Sequence, residues 1–296
     1  MKTVAVVFTL FGFCIALSPL QAQDLEDMVS KYTSVNGQGY MQPLGDAFGA
    51  NINSGLFHGA GISKDEFNIR FSLEFMLAPI GDDRKVFMAQ TEAPFYPDTT
   101  VEAPTVFGDS EGTSVEGTGG TVFYFPGGFD VNNLPFLVPQ VTIGSIMGTQ
   151  AVFRYINFKV DDNIGKVKLF GFGLRHSVSQ WIEKEYPVDL AVAFFTQSFD
   201  VGDIVDASAK YFGIIGSYDA GILTLYGGPG FESSSLDIAY DIEADTDTTS
   251  VSFELDGDNS ARFTLGAAVD LKILRFHIDY NIASQSSIGF GFGLGM

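Results

Sequence analysis

The sequence predicts an all-β protein: an antiparallel transmembrane β-barrel of about twelve strands, within a range of about 10–14, with a short N-terminal helical segment. Three observations predict this fold. Long stretches alternate apolar and polar residues with a period of two, the chain opens with an export signal, and the region after that signal has no run of about 18 apolar residues. Without a spanning helix, only a closed barrel satisfies every backbone group in lipid.

Residues 1–22 have the pattern of a secretory signal peptide. Lys2 supplies the positive charge, residues 4–17 are nearly all apolar, and Ala22 is the small residue before the expected cleavage site. Cys14 is the protein's only cysteine and lies in this segment, without the small preceding residues that lipidation requires. We therefore expect an exported mature chain that folds without disulfides.

The composition is strongly acidic. Asp and Glu total 36 against 16 for Lys and Arg, which gives a net charge of −20. This balance excludes nucleic acid as a partner, because binding to phosphates needs clustered basic residues. It also excludes docking on anionic lipid through a basic patch. A repulsive, solvated surface explains the acidity, and acidic loops that gather cations are the alternative.

The alternation that predicts strands runs from Asn51 onward and is clearest in residues 67–77 and in three closing segments, 261–272, 274–281 and 287–296. Such strands have about 9–15 residues, whereas strands of soluble proteins average about 5–6 and a tilted spanning strand needs about 9–11. A soluble sandwich shows the same alternation with its apolar face inward. Strand length, the 29 phenylalanines and the export signal favour the barrel.

The polar faces of these strands carry charged side chains beside Gly, Ala and Ser. With the apolar faces toward lipid, these polar faces line a hydrated or tightly filled lumen. The candidate lumen-facing polar residues are Arg70, Glu74, Arg262, Asp270, Arg275, His277 and Asp279.

Two regions depart from the strand pattern. Residues 23–45 are predicted to form a helical, plug-like segment, with a helix over Asp24 to Thr33 that either plugs the barrel or lies in the periplasm. The barrel is then expected over 46–296, with a Pro- and Gly-rich insertion at 79–139 that contains one or two short strands, such as 121–125. The insertion is either a constriction in the lumen or an extracellular cap. Residues 243–258 are predicted to be an acidic loop, with calcium binding as an alternative to a solvated loop.

Motifs for catalysis and cofactors are absent from the sequence. There is no phosphate-binding loop, dinucleotide fingerprint or nucleophile elbow. His58, His176 and His277 are far apart in the chain, with no H-E-x-x-H pattern, so we predict no metal, no cofactor and no catalytic residue. A barrel hydrolase acting on lipid would need a serine beside His277 or His176 on the outer surface.

Several short motifs resemble an uncharacterised family of Bacteroidota outer-membrane β-barrel proteins. They are Tyr40-x-x-Pro43, Phe48-Gly49-Ala50, Asn53-x-Gly55, Ala103-Pro104-Thr105-x-Phe107-Gly108, Leu134-Pro135, Pro139-Gln140, Arg154-Tyr155 and Gly171-x-Gly173-x-x-His176-Ser177. The chain is also distantly similar to long-chain fatty-acid transporter barrels, which have an N-terminal plug. These resemblances imply an outer-membrane location and a barrel. They carry over no functional residue, because none of the matched motifs has a known role.

The predicted function is that of a passive channel or transporter for small or hydrophobic molecules in the outer membrane. A structural or assembly-partner barrel with a filled lumen is the alternative, followed by a lipid-acting barrel enzyme and a soluble secreted β-protein. The expected partners are outer-membrane lipid, the barrel-insertion machinery and a small hydrophobic solute.

Overall fold

A computed structural model describes residues 34–64, 66–161, 165–182, 187–202, 204–243 and 248–295. The predicted signal peptide and the helix predicted over Asp24 to Thr33 lie outside these residues. One long helix, α1 (Ser34–Ile52), precedes fifteen strands. The strands are β1 (Asn68–Pro79), β2 (Val86–Gln90), β3 (Thr100–Pro104), β4 (Thr113–Glu116), β5 (Val122–Phe125), β6 (Asn133–Ile146), β7 (Thr149–Asp161), β8 (Gly165–Ser177), β9 (Val188–Val201), β10 (Val205–Ala220), β11 (Leu223–Glu243), β12 (Thr248–Asp256), β13 (Ala261–Leu271), β14 (Leu274–Ile282) and β15 (Ser287–Gly295).

Ten of these strands form a closed antiparallel barrel. The order around it is β1, β6, β7, β8, β9, β10, β11, β13, β14 and β15, and β15 pairs back onto β1 with Phe75 opposite Phe290. This confirms the predicted fold class. The count of ten lies at the lower end of the predicted range and below its central value of twelve.

Five of the described strands, β2, β3, β4, β5 and β12, lie outside the barrel. β12 pairs only with the last part of the 21-residue β11, where Leu236 is opposite Leu255, so the region predicted to be an acidic loop contains a strand. In the sequence, Val251, Phe253 and Leu255 alternate with Ser252, Glu254 and Asp256, which suits an added edge strand. β2 pairs with β3 and β4 with β5, as two separate hairpins.

The two ends of the barrel differ. At one end, here called the turn end, three connections have two residues each: Met147-Gly148, Gly221-Ile222 and Lys272-Ile273. Gly148 and Gly221 have φ of +70° and +83°, which glycine adopts without strain. At the other end, residues 80–132 together with β12 form a structure that we call the cap. The predicted insertion therefore contains four short strands, and β1 and β6 reach into the range assigned to it.

The outer surface of the barrel carries a continuous apolar band. Its exposed side chains include Phe71, Phe170, Phe194, Phe212, Ile214, Leu225, Phe231, Leu265, Ile278 and Phe292. Toward the cap end, the outward positions of β8 and β10 become polar, with Lys166, Lys168, Asp206, Ser208 and Lys210 exposed. An apolar band with a polar border is the surface that a barrel presents to lipid.

Helix α1 begins at Ser34 and carries the chain from the cap into the barrel. The side chains of Tyr40, Met41, Leu44 and Phe48 are fully or almost fully buried. Phe48 packs against Phe136 of β6 and Phe199 of β9, with ring centroids 5.7 and 5.3 Å away. Among the described residues, no helix is both long and apolar enough to cross a membrane.

The first barrel strand begins at Asn68, later than the sequence predicts. The period of two expected from Asn51 is wrong for residues 51–67, because Asn51 and Ile52 end the helix and the chain then runs through the lumen without regular structure.

A charge placed within the apolar band will destabilise the barrel in lipid. We expect Ile214→Arg, on the outer face of β10, to lower the free energy of unfolding by about 2–4 kcal/mol, because the band excludes water. Ser208→Arg is the matched control on the same face of the same strand, and it should cost less than about 1 kcal/mol because it lies in the polar border. Denaturant unfolding in phospholipid vesicles measures the free energy of unfolding of both variants. Equal decreases in the two variants would contradict the position given to the apolar band.

Candidate functional site

The lumen is occupied by residues 43–62, which we call the plug. Every plug residue from Pro43 to Phe57 is buried, and so are Gly59 and Ala60. Beyond Ile52 the plug has no helix or strand, so its backbone groups cannot use a ladder of their own. Since buried backbone N–H and C=O groups need partners, the barrel wall has to supply them.

Four arginines of the wall donate to plug carbonyl groups. Arg154 of β7 contacts two of them, at 2.8 Å from Ile52 and 2.7 Å from Ser54. Arg262 of β13 contacts Asn53 at 2.9 Å and Ala50 at 3.2 Å. Arg175 of β8 and Arg275 of β14 donate to Gly59 and His58.

These contacts also satisfy the end of α1. The carbonyls of Ala50 and Ile52 belong to its last turn, which has no partners within the helix and carries partial negative charge. Arg154 and Arg262 therefore bring both hydrogen bonds and the favourable sign of charge. Gln197 adds an amide donor to Ile52 at 2.7 Å, and Asn51 donates to the Leu134 carbonyl at 2.7 Å.

The buried arginines have charged or polar partners of their own. Arg262 lies 2.5 Å from the Glu232 carboxylate, and both side chains are 1% exposed. Arg154 donates to Gln140 at 2.9 Å, and Arg175 donates to Gln150. Pairing of this kind is what allows a charge to be kept out of water.

A row of inward-facing glycines on β15 lets β1 and β14 reach each other across it. Gly291 lies opposite Glu74 on one side and His277 on the other. In the same way, Gly293 lies between Ser72 and Arg275, and Gly289 between Met76 and Asp279. Because these glycines carry no side chain, charged groups two strands apart can meet in the lumen.

Glu74 lies at the centre of the most closely packed of these groups of polar side chains. Its Oε1 accepts from Ser72 at 2.6 Å and from Gln140 at 3.3 Å. Its Oε2 lies 2.8 Å from His277 Nε2 and 3.4 Å from Nε2 of His58, which the plug contributes. The two imidazole rings are stacked with centroids 3.4 Å apart, and neither nitrogen makes a hydrogen bond of proper geometry.

The seven predicted lumen residues fall into two sets. Glu74, Arg262, His277 and Asp279 are buried inside the barrel. Arg70, Asp270 and Arg275 form a partly exposed ion-pair group, with Asp270 2.8 Å from Arg275 and 3.9 Å from Arg70. Sequence reasoning did not identify four further lumen residues, His58, Arg154, Arg175 and Glu232. Arg154 shares one face of β7 with Gln150, and Arg175 follows Gly171 and Gly173 on one face of β8, which is the sequence signal that points to these two.

The cap is fastened to the plug by a second ion-pair group. Arg84 donates to Asp46 of α1 and lies 3.0 Å from Asp258, beyond β12. Gln42 and the Asp258 backbone N–H also donate to Asp46. Burial raises the pKa of the Asp46 carboxyl, although these donors and Arg84 act in the opposite direction. These contacts join α1 to the cap and to the residues that follow β12.

A small cavity remains beside the plug. It has a volume of about 20 Å³ and is lined by Asn53, Tyr211, Tyr226, Arg262 and Asp279, among others. Tyr226 donates to Asp279 at 3.2 Å within it. This volume admits about one water molecule rather than an organic solute.

The fold and the site define a closed ten-stranded barrel that holds its own N-terminal segment in the lumen. The chain belongs to a family of unknown function, DUF6588, whose model matches residues 1–296. No curated protein matches the chain. The Bacteroidota origin expected from the short motifs stays a prediction.

Solved structures of outer-membrane proteins are similar in outline. The outer-membrane protease OmpT of Escherichia coli is 9% identical, with 79% of this chain and 97% of that chain covered and a TM-score of 0.33. A loop-deletion mutant of OmpT, an outer-membrane protein of Vibrio cholerae, is 12% identical, with 78% of this chain and 98% of that chain covered and a TM-score of 0.29. A FadL homologue of Pseudomonas aeruginosa is 8% identical, with 84% of this chain and 97% of that chain covered and a TM-score of 0.26. These values support no inference about activity, and the fold assignment rests on the strand pairing itself.

Removing one plug-binding arginine will loosen the plug. We expect Arg154→Met to lower the free energy of unfolding by at least about 3 kcal/mol, because the buried Ser54 carbonyl and Gln140 lose their donor and the Ile52 carbonyl keeps only Gln197. Lys168→Met on the outer face of the neighbouring strand is the matched control and should change it by less than about 0.5 kcal/mol. Hydrogen exchange at residues 50–56 should accelerate only in the first variant. Unchanged exchange there would contradict the role given to Arg154.

Proposed function

We propose that this protein is an outer-membrane β-barrel whose lumen is kept closed by the plug, and that it has a structural or assembly-partner role rather than that of an open channel. The occupied lumen is the observation that carries the proposal. The plug is buried from Pro43 to Phe57 and held by arginines on four strands. Outer-membrane lipid and the barrel-insertion machinery are its proposed partners.

The outer surface supports the location. An exposed apolar band surrounds the barrel, and a water-soluble protein rarely leaves so large an apolar surface uncovered. Two-residue turns are typical of the periplasmic end of such barrels, and longer loops of the extracellular end. We therefore propose that the turn end faces the periplasm and that the cap faces the cell exterior. The signal peptide that this location requires stays a prediction.

The plug disfavours passive transport in the form described. A solute would have to displace a segment with six carbonyl groups bound to arginine, and the cavity beside it has room for about one water molecule. A small hydrophobic solute could then pass only if the plug moved. A channel that opens by movement of the plug is therefore the second candidate function, and this solute is its proposed ligand.

An enzymatic role receives less support. His277 faces the lumen beside Glu74 and is shielded from lipid, so it does not meet the requirement for lipid hydrolysis at the outer surface. The nitrogens of His176 contact Thr149, Gln180 and Trp181, which leaves this ring engaged in a local network. We therefore propose that the protein is not an enzyme.

Planar-bilayer recording tests the closed lumen. The unaltered protein should show no steady conductance, whereas Arg154→Met combined with Arg262→Met should show openings, because the end of α1 loses its charged donors. Lys168→Met should remain as silent as the unaltered protein. Steady conductance of the unaltered protein would overturn the proposal in favour of an open channel.

Labelling of introduced cysteines tests location and orientation. Thr118→Cys lies in the exposed part of the cap, and Ile222→Cys lies in a two-residue turn at the opposite end. A membrane-impermeant maleimide should label Thr118→Cys on intact cells and Ile222→Cys only after the outer membrane is permeabilised. The reverse pattern would invert the orientation, and labelling in a soluble fraction would remove the membrane location.

A further inference from the structure

We infer that His58, Glu74 and His277 bind one divalent transition-metal ion of the zinc class, which ties the plug to the barrel wall. This inference goes beyond the proposed function. It needs the plug to be docked in the lumen, but it depends neither on the membrane location nor on the absence of transport.

The fold brings the three residues together from distant parts of the chain. Glu74 and His277 flank Gly291 in one row across β1, β15 and β14. His58 approaches this row from the plug, and Arg275 fixes the plug there by donating to the His58 carbonyl. The donor atoms, one from each residue, all lie within 4.8 Å of one another.

The donor set suits zinc. Two imidazole nitrogens and one carboxylate are a three-ligand zinc set that leaves a fourth position for water. With tetrahedral bonds of about 2.0–2.2 Å, neighbouring ligand atoms lie about 3.3–3.6 Å apart. The separation of 3.4 Å between Glu74 Oε2 and His58 Nε2 matches this spacing, and the 2.8 Å between Oε2 and His277 Nε2 has to widen when an ion binds.

Three buried polar atoms point to a ligand. His58 Nε2, His277 Nε2 and Glu74 Oε2 are shielded from solvent, and none makes a hydrogen bond of proper geometry although Oε2 lies 2.8 and 3.4 Å from the two nitrogens. Unsatisfied buried polar atoms are rare, and three that face one point call for a common partner. The other carboxylate oxygen, Oε1, is held by Ser72 and Gln140, which fixes Oε2 toward the histidines, as supporting residues do around metal ligands.

The space for an ion comes from Gly291. A Cβ at this position would lie 2.7 Å from His277 Cε1 and 2.8 Å from Glu74 Oε2, so only glycine leaves the row open. The two rings are stacked at an interplanar angle of 17°, so their Nε2 lone pairs run side by side. Binding requires each ring to turn about its Cβ–Cγ bond until both lone pairs converge beside Oε2.

Charge and protonation set the conditions for binding. The ion would bring two positive charges to a carboxylate near Arg275, so neutral imidazoles are required, and affinity falls as the pH is lowered. The competitor is a proton that pairs His277 with Glu74. Asp279, two residues from His277 on β14, places a further carboxyl group on the same face of the wall.

The test is a metal titration of the purified full-length barrel, first stripped with a chelator and shown to be folded by its heat-modifiable gel mobility. Zn²⁺ is titrated against a chromophoric chelator, and Co²⁺ provides a visible spectrum. We expect one equivalent per chain. Zn²⁺ affinity should fall at least about tenfold in each of three variants, His58→Ala, His277→Ala and Glu74→Gln. Loss of a residue that only hydrogen-bonds to a metal ligand already costs about tenfold, so loss of a ligand should cost no less.

One variant separates the site from adventitious binding. His176→Ala removes the third histidine, which lies outside the cluster, and should bind Zn²⁺ as the unaltered protein does. Zn²⁺ should also raise the thermal unfolding midpoint of the unaltered protein but not that of Glu74→Gln.

Either of two results would overturn the inference. One is the absence of saturable Zn²⁺ and Co²⁺ binding in a folded, unaltered barrel. The other is an equal loss of binding in His176→Ala and His58→Ala, which would place the ion elsewhere. Neither result bears on conductance, so failure of the metal site and failure of the closed-lumen proposal are distinguishable.

Discussion

The structure depends on one requirement: an irregular segment inside a barrel must find hydrogen-bond donors for its carbonyl groups. The wall meets this requirement with arginines on four strands, including Arg154 and Arg262 at the end of α1. Each arginine then needs a partner, which explains Glu232 and the glutamines of the lumen. The glycines of β15 follow in turn, because charged groups of β1 and β14 meet only where the strand between them carries no side chains.

Apolar packing fixes the plug on both sides of this polar layer. Phe48, Phe136 and Phe199 pack together near the cap end. Toward the turn end, Phe57 packs between Phe195 and Tyr211. The contacts of Arg154 and Arg262 with residues 50–54 therefore lie between two apolar layers that exclude water, where a hydrogen bond is electrostatically stronger and an unpaired group more costly. A lumen built this way favours a single arrangement of the plug.

The sequence predicts the wall far better than the lumen. Alternation identifies β13, β14 and β15 directly, and with them the inward positions of Arg262, Arg275, His277 and Asp279. It does not identify α1, whose glycines and proline are poor helix formers. Those glycines serve contacts instead, since a Cβ at Gly49 would lie 2.0 Å from Ser234 Oγ. His58 lies in a segment with no period, so nothing in the sequence places it beside His277.

The seam between β1 and β15 imposes an order of events on assembly. The plug immediately precedes β1 in the chain, and its Ser54 hydroxyl lies 2.6 Å from that of Ser287 at the start of β15. A barrel already sealed at this seam would have to admit a helix and an extended segment lengthwise through its lumen. Enclosure of the plug must therefore accompany or precede the joining of the first and last strands. The barrel wall therefore closes around a plug that is already in place.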